Sequence, residues 1–350
     1  MTDPLRPGAT IGILGGGQLG RMMAMAAARL GLHTHIYEPG AAPAAQVAND
    51  WTQAPYDDAA ALKRFAEAVD VVTYEFENVP ADALDLIEGS APIRPGRRAL
   101  QVSQDRVDEK QFLQGIGLAT APFAPVANSA ELEAAVAEIG RPSILKTRRF
   151  GYDGKGQVRI GDGPLPDVQA PCVLEGFVDF DCEISVIAAR GTDGKIVAYT
   201  PGENVHADGI LRRTTVPANV SSETLDAAMA AASKLAEALD YVGVLGVEFF
   251  ATPDGLIVNE FAPRVHNSGH WTEAGCAIDQ FEMHIRAVAG WPLLPPHRHS
   301  DVVMENLIGD DVDRLEALAA DPAVRVYLYG KAETRRGRKM GHITRITGPA

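Results

Sequence analysis

Lys146-Thr-Arg-Arg-Phe-Gly-Tyr-Asp-Gly-Lys-Gly-Gln157 is the stretch of this 350-residue sequence that is most informative about its fold. The run from Ser143 to Arg148 predicts a strand, so Lys146 stands on fixed backbone before a glycine-rich loop. Glycines in such a loop let the backbone close over a polyphosphate, and the lysine supplies charge. The Walker pattern GxxxxGK[ST] is absent. An ordinary surface hairpin loop is the alternative, but the clustered lysines and arginines in an acidic chain favour an anion site.

A second signal is a pair of glutamates placed symmetrically about a predicted hairpin turn, Pro253-Asp-Gly255. With Asp254 at its centre, Glu248 stands opposite Glu260, and paired side chains on one face lie about 4.5 to 5.5 Å apart at Cβ. Both glutamates lie in apolar runs, so we expect a cation between the carboxylates. Hard oxygen ligands beside a polyphosphate favour Mg²⁺, with Mn²⁺ as an alternative, and Asn259 offers a further oxygen. The other interpretation is that one glutamate bulges outward to solvent.

Hydrogen-bond donors and cations follow the second glutamate and recur near the carboxyl terminus. The loop after it contains four polar side chains: Arg264, His266, Asn267 and Ser268. Such a density of donors beside a metal suits an oxyanion substrate. Lys331 and the run Arg335-Arg-Gly-Arg-Lys-Met340 are basic. A charge run of that kind is commonly a solvated face, and its spacing alone leaves that alternative open.

The first third of the chain alternates strand-like and helix-like segments. Strands are predicted at 10–14, 33–37 and 70–74, and helices at 18–31 and 59–68, which indicates a parallel sheet with helices on both faces. Gly15-Gly-Gly-Gln-Leu-Gly20 fits GxGxxG, and Glu38 ends the next strand, where a dinucleotide-binding fold has its ribose-binding acid. The motif is compatible with a nicotinamide or flavin site and with another phosphate ligand. The alternative without a ligand is a tight turn that needs glycine only for packing.

The rest of the chain divides into a mixed middle part and a sheet-rich end. Helices at about 103–115 and 129–139, followed by short strands, predict an α+β middle domain. Ser222 is expected to cap a long alanine-rich helix that ends near Leu239. The last fifty residues predict a small sheet-rich appendage. The expected architecture is therefore α/β and α+β, with three domains over 1–100, 101–295 and 296–350.

Composition excludes several classes of protein. Acidic residues outnumber Lys and Arg by 46 to 32, giving a net charge of −14, which argues against nucleic-acid or anionic-membrane partners. The three cysteines form no CxxC pair, so we expect neither a disulfide framework nor structural zinc, and a reducing cytoplasm is the expected location. No segment resembles a signal peptide or reaches the roughly 18 to 20 apolar residues that a membrane span needs. A cytoplasmic globular protein is expected.

In their residues and in their order along the chain, the motifs resemble those of the ATP-grasp ligases, and specifically those of the N5-carboxyaminoimidazole ribonucleotide synthase family of purine biosynthesis. The resemblance runs almost end to end. It rests on GILGGGQLGRM (12–22), TYEFENV (73–79), KTRRFGYDGKGQ (146–157), EGFVDFDCEIS (175–185), GENVHADGI (202–210), GVEFF (246–250), VNEFAPRVHNSGHWT (258–272), YGK (329–331) and RRGRKMGHIT (335–344).

The resemblance implies a Rossmann-like amino-terminal domain, an ATP-grasp central domain and a small sheet-rich carboxyl-terminal domain. The implied activity is ATP-dependent carboxylation of 5-aminoimidazole ribonucleotide by bicarbonate through carboxyphosphate, with release of ADP and phosphate. The residues implied to bind ATP are Arg106, Lys146, Gly151, Tyr152, Asp153, Gly154, Lys155, Gly156, Gln157, Glu175, Gly176, Phe177, Val178, Glu183, His206, Asn259 and Glu260. Glu248 and Glu260 are implied to hold the metal.

The same resemblance moves the glycine-rich turn from a cofactor to the ribonucleotide. The residues implied to bind the ribonucleotide are Gln18, Leu19, Glu75, Asn78, Tyr152, Asp153, Ser268, Lys331, Arg338 and Lys339. The residues implied to take part in catalysis are Arg264, His266, Asn267, Asp153 and Lys331. A homodimer acting on small molecules is also implied.

Three alternatives stay open at this point. A related ATP-grasp enzyme acting on another purine ribonucleotide, such as the formate-using transformylase, would share the nucleotide and metal residues. An NAD-dependent oxidoreductase would explain Gly15 to Glu38 but would leave Lys146 and the glutamate pair without a role. A nucleotide-sensing module would bind ATP without turnover.

Overall fold

A parallel sheet flanked by helices forms the amino-terminal part of the molecule. The computed structural model describes residues 3–151 and 155–350. The elements are β1 (Thr10–Leu14), α1 (Gln18–Arg29), β2 (His33–Tyr37), β3 (Asp50–Thr52), α2 (Ala59–Glu67), β4 (Val71–Tyr74), α3 (Ala81–Ile87) and α4 (Arg97–Ser103). The strand order is β3-β2-β1-β4, with every pair parallel. The predicted strand–helix alternation is confirmed.

A small antiparallel sheet carries Lys146. The next elements are α5 (Arg106–Gly115), β5 (Phe123–Val126), α6 (Ser129–Ile139), β6 (Ser143–Thr147), β7 (Gln157–Ile160) and β8 (Cys172–Gly176). The strand order is β5-β8-β6-β7. Lys146 on β6 pairs with Gln157 on β7, so the glycine-rich loop connects two antiparallel strands. Residues 152–154 of that loop lie outside the described residues.

A large sheet extends from the middle of the chain to its end. The remaining elements are β9 (Cys182–Arg190), β10 (Ile196–Ala198), β11 (Gly202–Ala207), β12 (Ile210–Val216), α7 (Ser222–Ala238), β13 (Gly243–Thr252), β14 (Gly255–Ala262), α8 (Thr272–Gly275), α9 (Gln280–Val288), β15 (Ser300–Ile308), α10 (Leu315–Ala319), β16 (Val324–Leu328) and β17 (Lys339–Pro349). The order is β14-β13-β9-β11-β12-β15-β17-β16, with β10 beside β9. Because β12 pairs with β15, the carboxyl-terminal strands continue the central sheet.

Helix α7 covers one face of this sheet. Ala228, Ala232 and Leu235 recur on one helical face and are fully buried in the cluster that contains Leu245 and Phe249 of β13. The small alanines let the helix approach the strands closely, and full burial of one leucine side chain contributes about 1.5 to 3 kcal/mol. None of the helices in the described ranges has the length and apolar character that a bilayer span requires.

Two predicted helix starts are wrong in detail. The helix expected over 103–115 begins only at Arg106, because Asp105 accepts from the backbone N–H of Val107 and caps α5. Ser103 is instead the last residue of α4. The cap of α7 is Ser221, whose Oγ accepts from Thr224 N, and Ser222 is the first helical residue. Adjacent serines offered the same capping chemistry, so the sequence alone did not distinguish them.

The β11–β12 hairpin was not predicted, although its turn has a clear signal. Asp208 and Gly209 both have positive φ, 53° and 73°, as a two-residue turn that matches strand twist requires. Asp-Gly is a frequent sequence for such a turn. This hairpin carries His206 to the edge of the cavity described below.

Candidate active site

A cavity of about 910 Å³ is lined by residues of the two antiparallel-paired sheets and by residues that follow strands of the parallel sheet. The parallel sheet contributes residues that follow the carboxyl ends of β1 and β4, where ligands of such sheets bind. Many of the predicted residues line it: Gln18, Leu19, Glu75, Arg106, Lys146, Gly151, Lys155, Gly156, Gln157, Glu183, His206, Glu248, Asn259, Glu260, Arg264, His266, Asn267, Lys331, Arg338 and Lys339.

Glu248 and Glu260 are register partners in the β13–β14 hairpin, as predicted. The turn and the register that produce this pairing differ from the predicted ones. Next to the turn, Thr252 pairs with Gly255, so the turn has two residues, and a regular ladder would pair Glu248 with Asn259. A register shift between Phe249 and Glu248 leaves Asn259 as the extra residue and brings Glu260 opposite Glu248. The bulge therefore sets the carboxylate pair.

The two carboxylates have different electrostatic surroundings. Burial and the charge of Glu260 raise the pKa of Glu248. Burial also disfavours an ionised Glu260, but Arg106 and Lys146 outweigh it and lower the pKa of that carboxyl. Arg106 Nη1 donates to Glu260 Oε2 over 2.9 Å. The pair is thus an ionised Glu260 held by an arginine, facing a Glu248 that lacks an equivalent partner of its own among the described residues.

A group of buried charges lies behind the carboxylate pair. Glu175 Oε2 is 3.0 Å from Lys146 Nζ and 3.2 Å from Lys110 Nζ. Burial opposes ionisation of Glu175, but the two ammonium groups outweigh it and lower its pKa. Lys110 is fully buried and was not predicted as a site residue. The glutamate predicted to contact adenine therefore holds two lysines, one of which faces the cavity.

The polar loop after β14 is anchored to the amino-terminal part. Arg264 Nε donates to Glu77 Oε2, and Arg264 lines the cavity. Burial disfavours the charge of Glu77, but the guanidinium outweighs it and lowers its pKa. Burial and the Arg264 charge lower the pKa of His266 to about 3, so its imidazole is neutral. His266 Nδ1 lies 2.8 Å from Ser268 Oγ, and its Nε2 lies 3.8 Å from Glu248 Oε1.

The backbone N–H groups of the glycine-rich turn bind carboxylates of the chain itself. Gly17 N and Gly20 N donate to Glu75 over 2.5 and 3.0 Å, and Gly16 N donates to Glu38 over 3.0 Å. A Cβ at Gly17 would lie 2.6 Å from a Glu75 oxygen, which explains the need for glycine there. These donors are therefore occupied before any phosphate arrives.

The carboxyl-terminal basic segment lies over the same turn. Lys331 Nζ donates to Gln18 Oε1 over 2.7 Å and to the Lys339 carbonyl over 2.6 Å. Arg338 Nη1 donates to the Glu333 carbonyl over 3.0 Å and lines the cavity. The run is thus part of the cavity wall, whereas the sequence alone left a solvated face open.

Some predicted residues lie elsewhere, and some lining residues were missed. Those that do not line the cavity are Asn78, Glu175, Gly176, Phe177, Val178 and Ser268. Tyr152, Asp153 and Gly154 lie outside the described residues. Glu77, Phe180 and Phe250 line the cavity without having been predicted. Phe180 and Phe250 are stacked with their ring centroids 4.6 Å apart, and no motif of the sequence pointed to that tertiary pair.

The oxygen atoms near the carboxylate pair fit a hard divalent cation. Asn259 Oδ1 is buried and has no hydrogen-bond partner among the described residues. With Glu248 and Glu260 it forms an all-oxygen donor set, the kind that Mg²⁺ takes up. Within the described ranges, no group of three or more His, Cys, Asp or Glu side chains could hold a metal alone. Oxygens of a bound phosphate would have to complete the shell.

Comparison with known proteins gives matches along the whole chain. Residues 8–104 match the ribonucleotide synthetase preATP-grasp domain, 111–281 the ATP-grasp domain and 302–348 the phosphoribosylaminoimidazole carboxylase C-terminal domain. The N5-carboxyaminoimidazole ribonucleotide synthase of Brucella melitensis is 57% identical, over 98% of this chain and 97% of that protein.

Two solved structures share the fold closely. The Staphylococcus aureus N5-carboxyaminoimidazole synthetase complexed with ADP gives a TM-score of 0.94 at 38% identity, covering 99% of this chain and 95% of that one. The Aspergillus clavatus enzyme in complex with ADP and 5-aminoimidazole ribonucleotide gives 0.90 at 30% identity, covering 98% and 94%.

Proposed function

This chain belongs to the family of N5-carboxyaminoimidazole ribonucleotide synthases, and from that premise we propose a role in the reaction for each part of its cavity. It is an ATP-grasp ligase of purine biosynthesis that uses ATP to convert 5-aminoimidazole ribonucleotide and bicarbonate into N5-carboxyaminoimidazole ribonucleotide. The resemblance found in the sequence is confirmed. The residue assignments that follow are proposals.

ATP lies between the small sheet and the large sheet. Lys146, Arg106 and the 151–157 loop bind its phosphates, and this is supported by the cations that line the cavity there. Glu183 binds the ribose and His206 lines the nucleotide site, with His206 Nδ1 3.0 Å from Glu183 Oε2. The segment Glu175–Val178 contacts the adenine through groups other than the Glu175 carboxylate, which binds two lysines.

Glu248, Glu260 and Asn259 hold Mg²⁺. When bound, the metal neutralises charge on the transferring phosphoryl group. The support for this assignment is the opposed carboxylates and the buried Asn259 oxygen without a partner among the described residues.

Bicarbonate binds beside the carboxylate pair, against Arg264, His266 and Asn267. One of its oxygens forms a bond to the γ-phosphorus of ATP while the bond to the bridging oxygen breaks, which gives carboxyphosphate and ADP. The neutral imidazole of His266 acts as a hydrogen-bond donor, since Ser268 supplies a hydroxyl to its Nδ1 and leaves the proton on Nε2. Asn267, whose buried amide has no partner among the described residues, orients the carboxyl group.

The ribonucleotide lies toward the amino-terminal sheet. Gln18, Leu19, Lys331, Arg338 and Lys339 bind its phosphate, and the support is that all five line the cavity and that Lys331 Nζ donates to Gln18 Oε1 at the glycine turn. Glu75, Asn78, Tyr152, Asp153 and Ser268 are assigned to recognition of its imidazole and amine, with Asp153 and Lys331 assisting the transfer; Tyr152 and Asp153 lie outside the described residues. The amine forms the bond to the carboxyl carbon, phosphate leaves, and the amine loses a proton.

The observation that carries this proposal is that Lys146, the carboxylate pair and Lys331 line one cavity. The test is phosphate release from ATP with bicarbonate, with and without 5-aminoimidazole ribonucleotide. Carboxylation should require all three substrates. Formate in place of bicarbonate is the matched control, because turnover with formate and not bicarbonate would assign the chain to the transformylase chemistry instead.

The enzyme is further proposed to be a cytoplasmic homodimer that acts on small molecules and not on nucleic acid. Its three cysteines are unpaired, which supports a reducing compartment. Analytical ultracentrifugation of the ATP-bound enzyme tests the assembly, and a sedimentation coefficient of a monomer at micromolar concentration would contradict it.

A further inference from the structure

Gln280 is a fully buried polar residue that belongs to none of the motifs discussed above. It is the first residue of α9 and does not line the cavity, but its side chain reaches the backbone of His266. Gln280 Oε1 accepts from His266 N over 2.9 Å, and Gln280 Nε2 donates to the His266 carbonyl over 2.7 Å. The same Nε2 lies 3.0 Å from His270 Nδ1.

The orientation of this amide is fixed by its partners. A backbone N–H only donates and a carbonyl only accepts, so the Gln280 oxygen must face His266 N and its nitrogen must face the carbonyl. The second amide hydrogen is then directed to His270 Nδ1, which must accept. All hydrogen-bonding groups of the buried amide except one lone pair are therefore used. A side chain that is fully satisfied in this way holds the loop in one conformation.

Glycines make room for this arrangement. A Cβ at Gly269 would lie 2.6 Å from Gln280 Oε1 and 2.7 Å from Ile187 Cγ1. A Cβ at Gly246 would lie 2.7 Å from the Cβ of His266. All three distances are shorter than real Cβ atoms approach other atoms. The loop therefore closes onto the amide on one side and onto strand β13 on the other.

Helix α9 is itself anchored to the same loop. Gln280 N donates to Thr272 Oγ1 over 3.0 Å, and that hydroxyl donates to the Gly269 carbonyl over 2.7 Å. Asp279 caps α9 by accepting from Phe281 N and Glu282 N. The loop is thus anchored by hydrogen bonds to the first turn of helix α9.

We propose that Gln280 is a positioning residue, which clamps both backbone groups of His266 and so holds its imidazole between Ser268 and Glu248. The inference rests on the role proposed for His266 at the bicarbonate site. The ring has Nδ1 2.8 Å from Ser268 Oγ and Nε2 3.8 Å from Glu248 Oε1, and it keeps this position only while its backbone is fixed. Small misplacements of a group near the chemistry reduce rates by up to about a hundredfold.

The test compares Gln280→Met with Thr73→Val. Thr73 is also fully buried and lies 2.9 Å from His284 Nε2, and neither residue lines the cavity, so its replacement matches the general cost of a missing buried hydrogen bond. We expect Gln280→Met to lower kcat by about ten- to a hundredfold with the KM for ATP within about twofold. Thr73→Val should lower the thermal midpoint with kcat unchanged. Equal kcat values in the two variants would overturn the proposal.

A second readout needs no turnover. The ring nitrogen signals of His266, assigned in ¹⁵N-histidine-labelled full-length protein with His266→Gln, should shift in Gln280→Met and stay in place in Thr73→Val. Unshifted signals in Gln280→Met would overturn the positioning role even if the activity fell. Failure of the proposed reaction would leave this spectroscopic result unaffected. If Gln280→Met does not fold, Gln280→Glu, which keeps the shape and the acceptor, is measured in the same two ways.

Discussion

Glu260 faces Glu248 across the β13–β14 hairpin because the intervening ladder contains a bulge at Asn259. In a regular ladder from the observed turn, an amide would have taken the place of the carboxylate. The bulge also leaves the Asn259 side-chain oxygen buried beside the pair, without a partner among the described residues. One inserted residue thus supplies both the second carboxylate and a third oxygen.

Removing the Glu248 carboxylate should separate activity from stability. Glu248→Gln is expected to cut turnover by orders of magnitude, because the metal loses a charged ligand. In the metal-free protein the same change should raise the thermal midpoint near pH 8, since ionised Glu248 is partly desolvated and repelled by Glu260. Phosphate release and thermal melts in EDTA measure the two effects.

Glu260→Gln is the matched comparison. It should also abolish turnover but should lower the thermal midpoint, because Arg106 loses the negative charge that Glu260 Oε2 presents at 2.9 Å. Wild-type activity in either variant at ordinary Mg²⁺ would contradict the metal assignment.

A buried carboxyl on α5 should make the nucleotide-free protein less stable as the pH rises. Burial and the nearby Glu260 raise the pKa of Glu109 from 4.5 to about 7, while Glu109 Oε1 accepts from Phe261 N over 2.7 Å. A raised pKa favours folding below the unfolded value, and this stability is lost as pH rises through the folded value. The loss amounts to on the order of 3 kcal/mol between pH 4.5 and 8.

The measurement is urea unfolding of the wild type and of Glu109→Gln across that pH range. The variant keeps an acceptor for Phe261 N and has no proton to lose, so its stability should depend less on pH. Parallel pH profiles for the two proteins would show that Glu109 is not responsible.

The parts of the site that follow from local pattern could be predicted, and those that depend on tertiary approach could not. The strand that carries Lys146, the hairpin of Glu248 and Glu260 and the polar loop after it were read from spacing. The carboxylate pairing was right although the turn centre was wrong by half a residue, because the bulge at Asn259 compensated. The residue pattern of one strand does not predict a bulge that lies between two apolar runs.

The contacts that hold the site come from distant parts of the chain. Glu77 reaches Arg264, and Lys110 reaches Glu175, across long sequence separations. A buried lysine on an amphipathic helix looks like a surface residue in sequence, since charged side chains are seldom buried unless paired. The glycine turn was misleading for the opposite reason, because its local pattern is that of a phosphate site while its donors bind Glu38 and Glu75.

The binding of Glu38 and Glu75 to the N–H groups of the glycine turn predicts which nucleotides the protein binds. The protein should bind ATP with Mg²⁺ and give no heat with NAD(H) or NADP(H) in calorimetric titration. A dinucleotide pyrophosphate would have to displace Glu75 from Gly17 and Gly20, and a buried carboxylate without those donors is costly. Saturable binding of a nicotinamide nucleotide at micromolar concentration would contradict this account of the turn.

Lys110 should affect ATP binding without touching ATP. In Lys110→Met, Glu175 retains Lys146 as its remaining close cation, so Lys146 is less available to phosphate. The KM for ATP should rise by about tenfold, equivalent to about 1.4 kcal/mol, with the KM for the ribonucleotide unchanged. Adding Glu175→Gln to this variant should restore part of the affinity, because it releases Lys146. An unchanged KM for ATP in Lys110→Met would contradict the coupling.

The basic segment near the carboxyl terminus gives the prediction that separates substrate from nucleotide. Arg338 lines the same cavity as Gln18 and Lys331, and the carbonyl of its neighbour Lys339 accepts from Lys331 Nζ. Charge-assisted contacts to phosphate contribute about 1.5 to 3 kcal/mol, or about ten- to a hundredfold in affinity. Arg338→Met should therefore raise the KM for 5-aminoimidazole ribonucleotide by about that factor and leave the KM for ATP nearly constant. Arg345→Met is the matched control, because Arg345 on β17 pairs with Asp321 and does not line the cavity. Steady-state kinetics with each substrate varied in turn distinguishes the alternatives. A change only in the KM for ATP would show that the segment binds the nucleotide. No change in either KM would show that the segment is a solvated face.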